Sequence, residues 1–527
     1  MRSHARRRPS CLPWLVVALL LVWIGVRVSH CHRRGEGSDD ASRSSPGERG
    51  AAPPAVHDLL AYLVEDPDGG TVLRVVDAAT RGDRALAYQV VPAGRLRWDP
   101  SGSRLAVVLE KGDREALVTV RADGRDAAVI SGDRDLGANS QGHLYWYEWC
   151  PSGQFMAFAV AKDGEPGGSR GDVYVVDIGR ETPWLAATDV LMRDGMDGRG
   201  LPTMAWSPDG QWLALCDGRA VSLVSPDTSA RATAAGPDGR AVDSFLWSSD
   251  GTRLALFTRA ADYTTAASVY HLPDGPCRVV ATGVQSGEAR WAPGGAALAL
   301  PSAGTAPTSL GVWRAGEDWA LLATGEVPVR EYSWLGQQLQ LVVVARQAGG
   351  DILCTADPSG ADLQRLSDLR DAFWPTPDPQ GDRIAFCVRG GRSGEDGIYI
   401  AARSGGELML VHRAVPDSRP IWSPDGAQLL YRLVARPSQT TDAFVARVSG
   451  EPPSEARVNG ALDAHTAAWS PSGRFVAIES TAATSRALAI AQVGAEPVVV
   501  SQEVVTWEWP EVPSTTAPGE ESQNEGR

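Results

Sequence analysis

The stretch WSPDGQWLALC at residues 206–216 decides the fold. Pro208 fixes φ at the first central position of a tight turn, Asp209 suits the second, and Gly210 tolerates the positive φ that closes a hairpin. The run LALC after the turn is apolar on both faces, which is typical of a strand buried between two sheets. The stretch therefore predicts a β-hairpin whose first strand ends at Trp206.

The same pattern recurs along the chain as a tryptophan, a tight turn and a short apolar run. The tryptophans that lead these units are 40 to 57 residues apart, and a second pair of strand-like runs follows, as at 173–177, 268–272 and 397–401. This period predicts propeller blades of four strands each, with the indoles packing between blades. We interpret nine tryptophans as repeat anchors: Trp98, Trp149, Trp206, Trp247, Trp291, Trp334, Trp374, Trp422 and Trp469.

The blade count depends on what lies outside these units. Residues 57–97 contribute three strand-like runs without a leading tryptophan, and 504–509 (VVTWEW) offers the missing first strand, which would close the ring. Closure removes exposed sheet edges. The sequence therefore predicts an all-β protein, a β-propeller of about eight to ten four-stranded sheets. One large ring and two smaller propellers are both open at this point.

The repeated WSPDG followed by a strand such as LAL (213–215) or LALF (254–257) resembles the TolB-type, WD-repeat-like β-propeller repeat. Similar repeats form the propeller of prolyl-oligopeptidase-type enzymes. The resemblance covers roughly residues 57–512 and rests on recurrence rather than on one copy. It implies a role in protein–protein interaction in the cell envelope, although fold alone does not determine function.

The N-terminus predicts the location of the protein. Residues 1–10 form a basic flank, and 11–28 hold an apolar run typical of a transmembrane or signal-anchor helix. Its exit lacks the small residues of a cleavage site, which favours an uncleaved anchor over a cleaved signal. Residues 29–56 and 513–527 predict a disordered linker and tail around the propeller at 57–512. We expect a single-pass protein of the cell membrane with an extracytoplasmic propeller.

The composition limits the classes of partner and ligand that the protein can bind. The formal net charge of −14 argues against nucleic acid, because phosphate binding needs a basic surface. The cysteines include no Cys-x-x-Cys pair or zinc spacing, and several lie inside apolar runs, so we interpret those of the propeller as small buried hydrophobic residues. We expect no cofactor and no metal.

The sequence offers no catalytic site. The segments outside the propeller are too short for an α/β-hydrolase domain, and the one Gly-x-Ser-x-Gly match, at 167–171, lies in a polar loop instead of between a strand and a helix. We therefore predict that the protein is not an enzyme.

Strand parity predicts a binding face. The long insertions at 131–148, 162–172, 184–200 and 389–397 map to connections that share one face of the propeller. Variable loops on one face of a rigid scaffold are typical of a binding surface, although ordinary loop variation gives the same pattern. Trp146 and Trp184 fall in these insertions, where aromatic rings grip a ligand or seal the seam between blades.

Carboxylates are expected near the same face. Glu288, Glu331 and Asp371 each stand three residues before a repeat tryptophan and Asp243 stands four before, whereas Arg95 and Arg419 occupy equivalent places elsewhere. Such a rim attracts a cation or a basic peptide, unless its carboxylates are simply solvated.

The leading hypothesis is a membrane-anchored, extracytoplasmic, non-catalytic scaffold that binds an envelope protein, peptide or other ligand of unknown identity. The alternatives are a propeller-type glycan hydrolase or lyase that uses the acidic rim, and a module without ligand.

Overall fold

The computed structural model describes most of the chain from residue 58 onward. The described residues are 58–67, 69–92, 95–111, 114–131, 144–161, 170–192, 201–228, 230–259, 264–303, 309–316, 320–321, 328–336, 339–358, 363–390, 394–435, 438–449, 453–482 and 485–511. The predicted basic flank, anchor helix and linker (1–56) and the predicted tail (513–527) lie outside these residues. No helix within the described ranges is long and apolar enough to span a membrane.

Forty strands form ten antiparallel sheets of four strands, so the predicted four-stranded blades are confirmed. We number the blades along the chain and letter the strands A to D across each sheet. Blade 1 is β40 (Val504–Glu508), β1 (Leu59–Glu65), β2 (Thr71–Asp77) and β3 (Asp83–Tyr88). Blade 2 is β4 (Arg97–Trp98), β5 (Arg104–Lys111), β6 (Arg114–Arg121) and β7 (Ala128–Ser131). Blade 3 is β8 (Leu144–Trp149), β9 (Phe155–Ala161), β10 (Arg170–Asp177) and β11 (Thr182–Leu191).

The next four blades follow in chain order. Blade 4 is β12 (Met204–Trp206), β13 (Leu213–Cys216), β14 (Ala220–Val224) and β15 (Arg231–Ala235), and blade 5 is β16 (Val242–Trp247), β17 (Arg253–Arg259), β18 (Thr265–His271) and β19 (Cys277–Thr282). Blade 6 is β20 (Arg290–Trp291), β21 (Ala297–Pro301), β22 (Leu310–Arg314) and β23 (Ala320–Leu321). Blade 7 is β24 (Val329–Trp334), β25 (Leu341–Gln347), β26 (Gly350–Ala356) and β27 (Leu363–Arg365).

The last three blades lead back to the first. Blade 8 is β28 (Ala372–Pro377), β29 (Arg383–Val388), β30 (Gly397–Ala402) and β31 (Met409–His412). Blade 9 is β32 (Ile421–Trp422), β33 (Gln428–Val434), β34 (Thr441–Arg447) and β35 (Ser454–Arg457). Blade 10 is β36 (Ala464–Trp469), β37 (Phe475–Ala482), β38 (Ser485–Gln492) and β39 (Val498–Ser501). Two single-turn 3-10 helices, Pro237–Gly239 and Ser286–Glu288, lie in connections between blades.

The turn after Trp206 shows why the repeated motif folds locally. The backbone N–H of Ser207 donates to the carbonyl of Trp212 at 2.7 Å, and that of Gly210 donates to the carbonyl of Ser207 at 2.8 Å. Gly210 has φ 71°, the left-handed conformation that the sequence predicted for it. The Ser207 hydroxyl donates to the Asp209 carboxylate and accepts from the N–H of Trp212. The motif therefore satisfies its own polar groups while it reverses the chain.

All ten blades form one closed ring. The last strand, β40, pairs with β1, so the C-terminus supplies the innermost strand of blade 1 as predicted. Ten clusters of buried hydrophobic residues lie between successive blades, and one of them joins blade 10 to blade 1 through Phe475, Leu60 and Trp509. Because every blade packs on two neighbours, the alternative of two smaller propellers is excluded.

Eight repeat tryptophans each tie their own blade to the one before it, in blades 2 to 7, 9 and 10. In each case the indole Nε1–H donates to a backbone carbonyl at 2.9–3.3 Å, and the acceptor is the residue just before the preceding blade's anchor position. The anchors are between 4% and 8% exposed, so the bond also satisfies a buried donor. These tryptophans are Trp98, Trp149, Trp206, Trp247, Trp291, Trp334, Trp422 and Trp469.

The ninth predicted anchor, Trp374, is wrong. The turn of blade 8 begins at Asp378, whose N–H donates to the carbonyl of Arg383, so the anchor position falls on Pro377. Trp422 accordingly bonds to the carbonyl of Thr376, not to that of residue 373. The anchor position is displaced because the pairing of β28 with β29 changes register between Phe373 and Thr376.

Two further expectations are settled in part. Residues 184–191 belong to the outer strand β11 and not to an insertion, so only the end of the predicted 184–200 loop leaves the sheet. The five cysteines of the propeller are free; Cys277 is half-buried and the others are buried, in agreement with a packing role.

Candidate binding rim

One face of the ring receives the insertions. In a blade of four antiparallel strands, the B–C loop and the connection from D to the next A strand leave from the same edge. The segments 132–143 and 193–200 connect D strands to A strands, and 162–169 and 391–393 connect B to C strands. We call this side the rim face. The structure describes the strand ends beside these segments, and those ends lie on the rim face.

Ten equivalent side chains stand where the A strands begin on the rim face. We define the rim positions as the residues three before each anchor position, counting Pro377 and Trp509 as the anchor positions of blades 8 and 1. The rim positions are Thr506, Arg95, Trp146, Thr203, Ser244, Glu288, Glu331, Trp374, Arg419 and Thr466. Two tryptophans, two arginines and two glutamates thus share one level of the ring. Trp146 and Trp374 lie five blades apart, on opposite sides of it.

Glu331 and Arg419 meet although a whole blade separates them. The Arg419 guanidinium contacts Oε2 of Glu331 at 3.2 Å, and the same oxygen accepts the backbone N–H of Trp374 at 3.1 Å. Glu331 belongs to blade 7 and Arg419 precedes β32 of blade 9, so the pair crosses the inner strand of blade 8. Burial raises the pKa of Glu331, and the guanidinium of Arg419 only partly opposes that rise.

The inner strand of blade 8 is irregular beneath this pair. Asp371 and Trp374 have φ values of 57° and 53°, in the left-handed region that side chains other than glycine rarely adopt. Two such residues within four positions are typical of backbone strain kept at a functional site. Phe373 and Trp374 pack edge to face with ring centroids 4.9 Å apart, and the guanidinium of Arg389 lies 5.3 Å above the Phe373 ring.

The structure does not gather the predicted carboxylates into one cluster. Asp243 pairs with Arg259 at 3.2 Å, and Glu331 pairs with Arg419. Glu288 is exposed at its rim position, and its carbonyl accepts the hydroxyl of Tyr332 from the next blade. Asp371 lies six residues before its anchor position, because Trp374 is not the anchor; its predicted place in the ring is wrong.

The two candidate tryptophans lie in strands, not in loops. Trp146 is in the inner strand β8, and Trp184 is in the outer strand β11. Both pack against the hydrophobic cluster between blades 3 and 4. Trp146 nevertheless holds a rim position, where its half-buried ring is equivalent to Trp374 of blade 8.

Sequence reasoning named Arg95 and Arg419 but missed Arg389 and a second level of charged side chains. Arg97, at the position before an anchor, lies between Glu148 (4.0 Å) and Glu508 (3.6 Å) of the two neighbouring blades. Counting back one residue from each anchor would have found this triplet. Arg389 follows a B strand, where the motif gives no signal.

A metal site finds no support in the described ranges. No group of three or more His, Cys, Asp or Glu side chains within them is arranged to hold a metal ion. A shallow depression at the outer seam of blades 9 and 10, lined by residues such as Arg457 and Glu496, has a volume of about 550 Å³. The cluster of charged and aromatic groups is at the rim, not at this seam.

The fold defines the class of protein, a ten-bladed β-propeller with a mixed charged and aromatic rim. No protein-family model and no curated protein matches the chain. Among solved structures, a eukaryotic initiation factor is similar at 12% identity and a TM-score of 0.51, over 86% of this chain and 98% of that one. This likeness is one of fold alone.

Two further solved structures are less similar. TolB from Acinetobacter baumannii has 14% identity and a TM-score of 0.26, over 49% of this chain and 61% of that one. Dipeptidyl peptidase 4 from Porphyromonas gingivalis has 12% identity and a TM-score of 0.45, over 78% of this chain and 59% of that one.

Proposed function

We propose that this protein is a non-catalytic binding scaffold of the cell envelope, held to the membrane by its N-terminal segment, whose rim face binds a protein or peptide. The observation that carries the proposal is the Glu331–Arg419 bridge over the irregular inner strand of blade 8. It brings charged groups, two half-buried aromatic rings and strained backbone together on the face that receives the insertions.

The described part of the chain begins and ends on one face of the ring. Asp58, the first described residue, is bonded to Ser472 in the A–B turn of blade 10, and Pro510 lies against Gly102 in the A–B turn of blade 2. Both ends of the ring therefore lie on the face opposite the rim face.

A glycan hydrolase is the second candidate, and one observation favours it. The raised pKa of Glu331 is in the direction that a general acid needs. Its Oε2 already accepts from Arg419 and Trp374, which suits a structural or positioning carboxylate better than a proton donor.

The test is capture of partners by the ring fragment 55–527, which contains all forty strands and closes on itself. The fragment is incubated with envelope extract of its own source, and captured proteins are identified by mass spectrometry. In the test variant, 132–143 and 193–200 are replaced by short Gly/Ser loops. The matched control replaces 357–362, a C–D turn on the opposite face, in the same way.

A partner that is lost in the rim-face variant and kept in the control supports the proposal. Capture that survives both the rim-face swap and Arg419→Ala contradicts the choice of face. Release of sugars from envelope glycans that is abolished by Glu331→Gln would instead establish the hydrolase. A C-terminal reporter that is active only outside the cytoplasm tests the location.

A further inference from the structure

The inner strand of blade 8 is held near its rim end by a carboxylate from another blade. Trp374 stands in the break of register between β28 and β29, and its backbone N–H donates to Oε2 of Glu331 in β24 at 3.1 Å. The guanidinium of Arg419, which precedes β32, donates to the same oxygen at 3.2 Å. A single carboxylate oxygen thus joins blades 7, 8 and 9 on the rim face.

The segment that this carboxylate holds is strained. Asp371 and Trp374 both have left-handed φ values, which cost free energy in residues other than glycine and persist only where surrounding contacts hold them. The Asp371 end is held by packing and by a backbone bond. Its carboxylate lies 2.8 Å from the place of a side-chain carbon at Gly350, and its carbonyl accepts the backbone N–H of Arg389 at 3.3 Å. At the other end, the backbone N–H of Trp374 is bonded to Glu331.

Two opposing effects act on the charge of Glu331. Burial raises the pKa of this carboxyl above its ordinary value, and Asp351 adds to the rise, whereas Arg419, the bond from Trp374 and Arg330 oppose it. The ionised form is therefore costly to bury, but it makes the stronger hydrogen bonds, because charge-assisted bonds are about twice as strong as neutral ones. Proton uptake removes the cost of burial and weakens both bonds of Oε2.

Other charged and titratable groups lie on the elements packed against Glu331. Arg330 and Arg346 both contact Asp351, at 3.1 and 3.7 Å, and Asp417 before β32 pairs with Arg432 at 3.3 Å. The remaining groups are Glu288 of blade 6, Asp368, Arg370 and Asp371 before and in β28, Cys387 in β29 and Arg389 after it. Several of these are carboxylates, so a change with pH at this site is assigned to Glu331 only through its own substitution.

We propose that Glu331 is an acid-sensitive switch for the inner strand of blade 8. When its carboxylate takes up a proton, Arg419 separates from it and the segment 371–374 relaxes from its left-handed conformation. The rim face then has two states, one in which blades 7, 8 and 9 are joined and one in which Arg419 and Trp374 are released. The consequence for ligand binding rests on the scaffold function proposed above: a partner bound to this face is held differently in acid and at neutral pH.

The experiment follows Trp374 by fluorine NMR. The full-length chain is labelled with fluorotryptophan in mild non-ionic detergent, and the resonance of Trp374 is the one that Trp374→Phe removes. The sample is titrated from about pH 8 to about pH 4, across the range in which a glutamate of raised pKa takes up its proton. We expect the resonance to move between two positions with a midpoint above pH 4.5, the ordinary pKa of glutamate.

Two substitutions assign the transition. Glu331→Gln stays uncharged, so its Trp374 resonance should remain near the acid position throughout and show no transition. Arg419→Gln removes a guanidinium that lowers the pKa of Glu331, so the midpoint should move to higher pH.

Glu288→Gln is the matched control. Glu288 is the exposed carboxylate at the rim position of blade 6, the blade before Glu331, and its substitution should leave the midpoint and the size of the transition unchanged. Thermal melting of each variant at both ends of the pH range shows that the ring is folded.

Three outcomes would overturn the inference. They are a Trp374 resonance that does not move while the ring stays folded, a transition that persists in Glu331→Gln, and a midpoint that Arg419→Gln leaves unchanged or lowers. The titration needs no partner, so it is independent of the scaffold proposal. A partner lost on swapping 132–143 and 193–200 supports the scaffold even if the switch fails, and a transition assigned to Glu331 supports the switch even if no partner is captured.

Discussion

The indole N–H of Trp98 donates to the carbonyl of Glu508 at 3.2 Å, across 410 residues of sequence. At seven other blade interfaces, an anchor indole N–H likewise donates to the carbonyl of the residue before the preceding blade's anchor position. The C-terminal strand of blade 1 is therefore held to blade 2 by the same bond that joins blades within the repeat. Closure of the ring removes both free edges that an open array of blades would expose.

Asp58 joins blade 1 to blade 10 on its other side, and its loss should open the first strand. Its buried carboxylate accepts the Ser472 hydroxyl at 2.7 Å, the Ser472 N–H at 3.1 Å and the Arg474 guanidinium at 2.9 Å. Asp58→Ala leaves these donors without their partner, and we expect a loss of about 2 kcal/mol in the free energy of unfolding. Hydrogen exchange of 59–65, followed by mass spectrometry, should speed up.

The control for this prediction is Asp368→Ala. Asp368 also pairs with an arginine, Arg365, but its side chain is 97% exposed. An exposed pair contributes less than about 1 kcal/mol, so exchange in β1 should not change. Equal effects of the two substitutions would show that Asp58 does not hold blade 1 to blade 10.

We predict that blades 7 and 8 pack closely enough at Gly381 to exclude any side chain there. It has φ 76°, and a side-chain carbon there would lie 2.6 Å from the backbone nitrogen of Gly336 in the neighbouring turn. Gly494 has φ 86° with nothing within 4 Å of such a carbon. Both Gly→Ala variants incur the left-handed penalty, but Gly381→Ala should cost at least about 1 kcal/mol more, because backbone must move. Urea denaturation compares the two, and a smaller loss for Gly381→Ala would contradict the contact.

The repeat made most of the fold predictable, and the prediction failed where a blade departs from the repeat. Four-stranded blades, closure by 504–509 and the common face of the insertions all follow from the turn motif and strand parity. The anchor of blade 8 was predicted wrongly, because Trp374 resembles an anchor while Pro377 occupies the anchor position. Because the anchor position lies three residues later than predicted, the rim position of blade 8 is Trp374 and not Asp371.

The candidate site was less predictable than the fold, because charge pairing depends on neighbours in space. Glu331 was recognised from its place before Trp334, but nothing in the sequence joins it to Arg419 two blades away. Trp184 looked like a loop residue, because β11 is ten residues long and extends past the usual end of an outer strand. Local patterns thus identified the carboxylates and left their partners unknown.

Cys387 is expected to resist thiol reagents in the folded protein. Burial, with the nearby carboxylate of Glu331 as a lesser cause, raises its pKa to about 12. Alkylation requires the thiolate, so iodoacetamide near neutral pH should leave this side chain unmodified until urea unfolds the chain. Cys277 is only half-buried and should react first among the five cysteines of the propeller. Site-resolved mass spectrometry over time measures both rates, and equal rates in the native protein would disprove the burial of Cys387.

Glu331→Gln should change how stability depends on pH. Because the folded state raises the pKa of Glu331 above its ordinary 4.5, the folded protein holds this proton to a higher pH than the unfolded chain does. The contribution of Glu331 to stability is then complete below pH 4.5 and is lost as pH rises through the folded-state pKa. Glutamine stays uncharged throughout, so it resembles the protonated side chain.

Variant and wild type should therefore unfold at similar urea concentrations at about pH 4, and the variant should be the more stable of the two at about pH 7. Arg419→Gln provides the matched comparison, since it leaves the buried carboxylate without its guanidinium and should destabilise the protein at neutral pH. If Glu331→Gln instead weakens the protein at neutral pH, then the pair with Arg419 outweighs the burial of the carboxylate. The bridge over blade 8 would in that case stabilise the ring rather than hold a strained surface ready for a ligand.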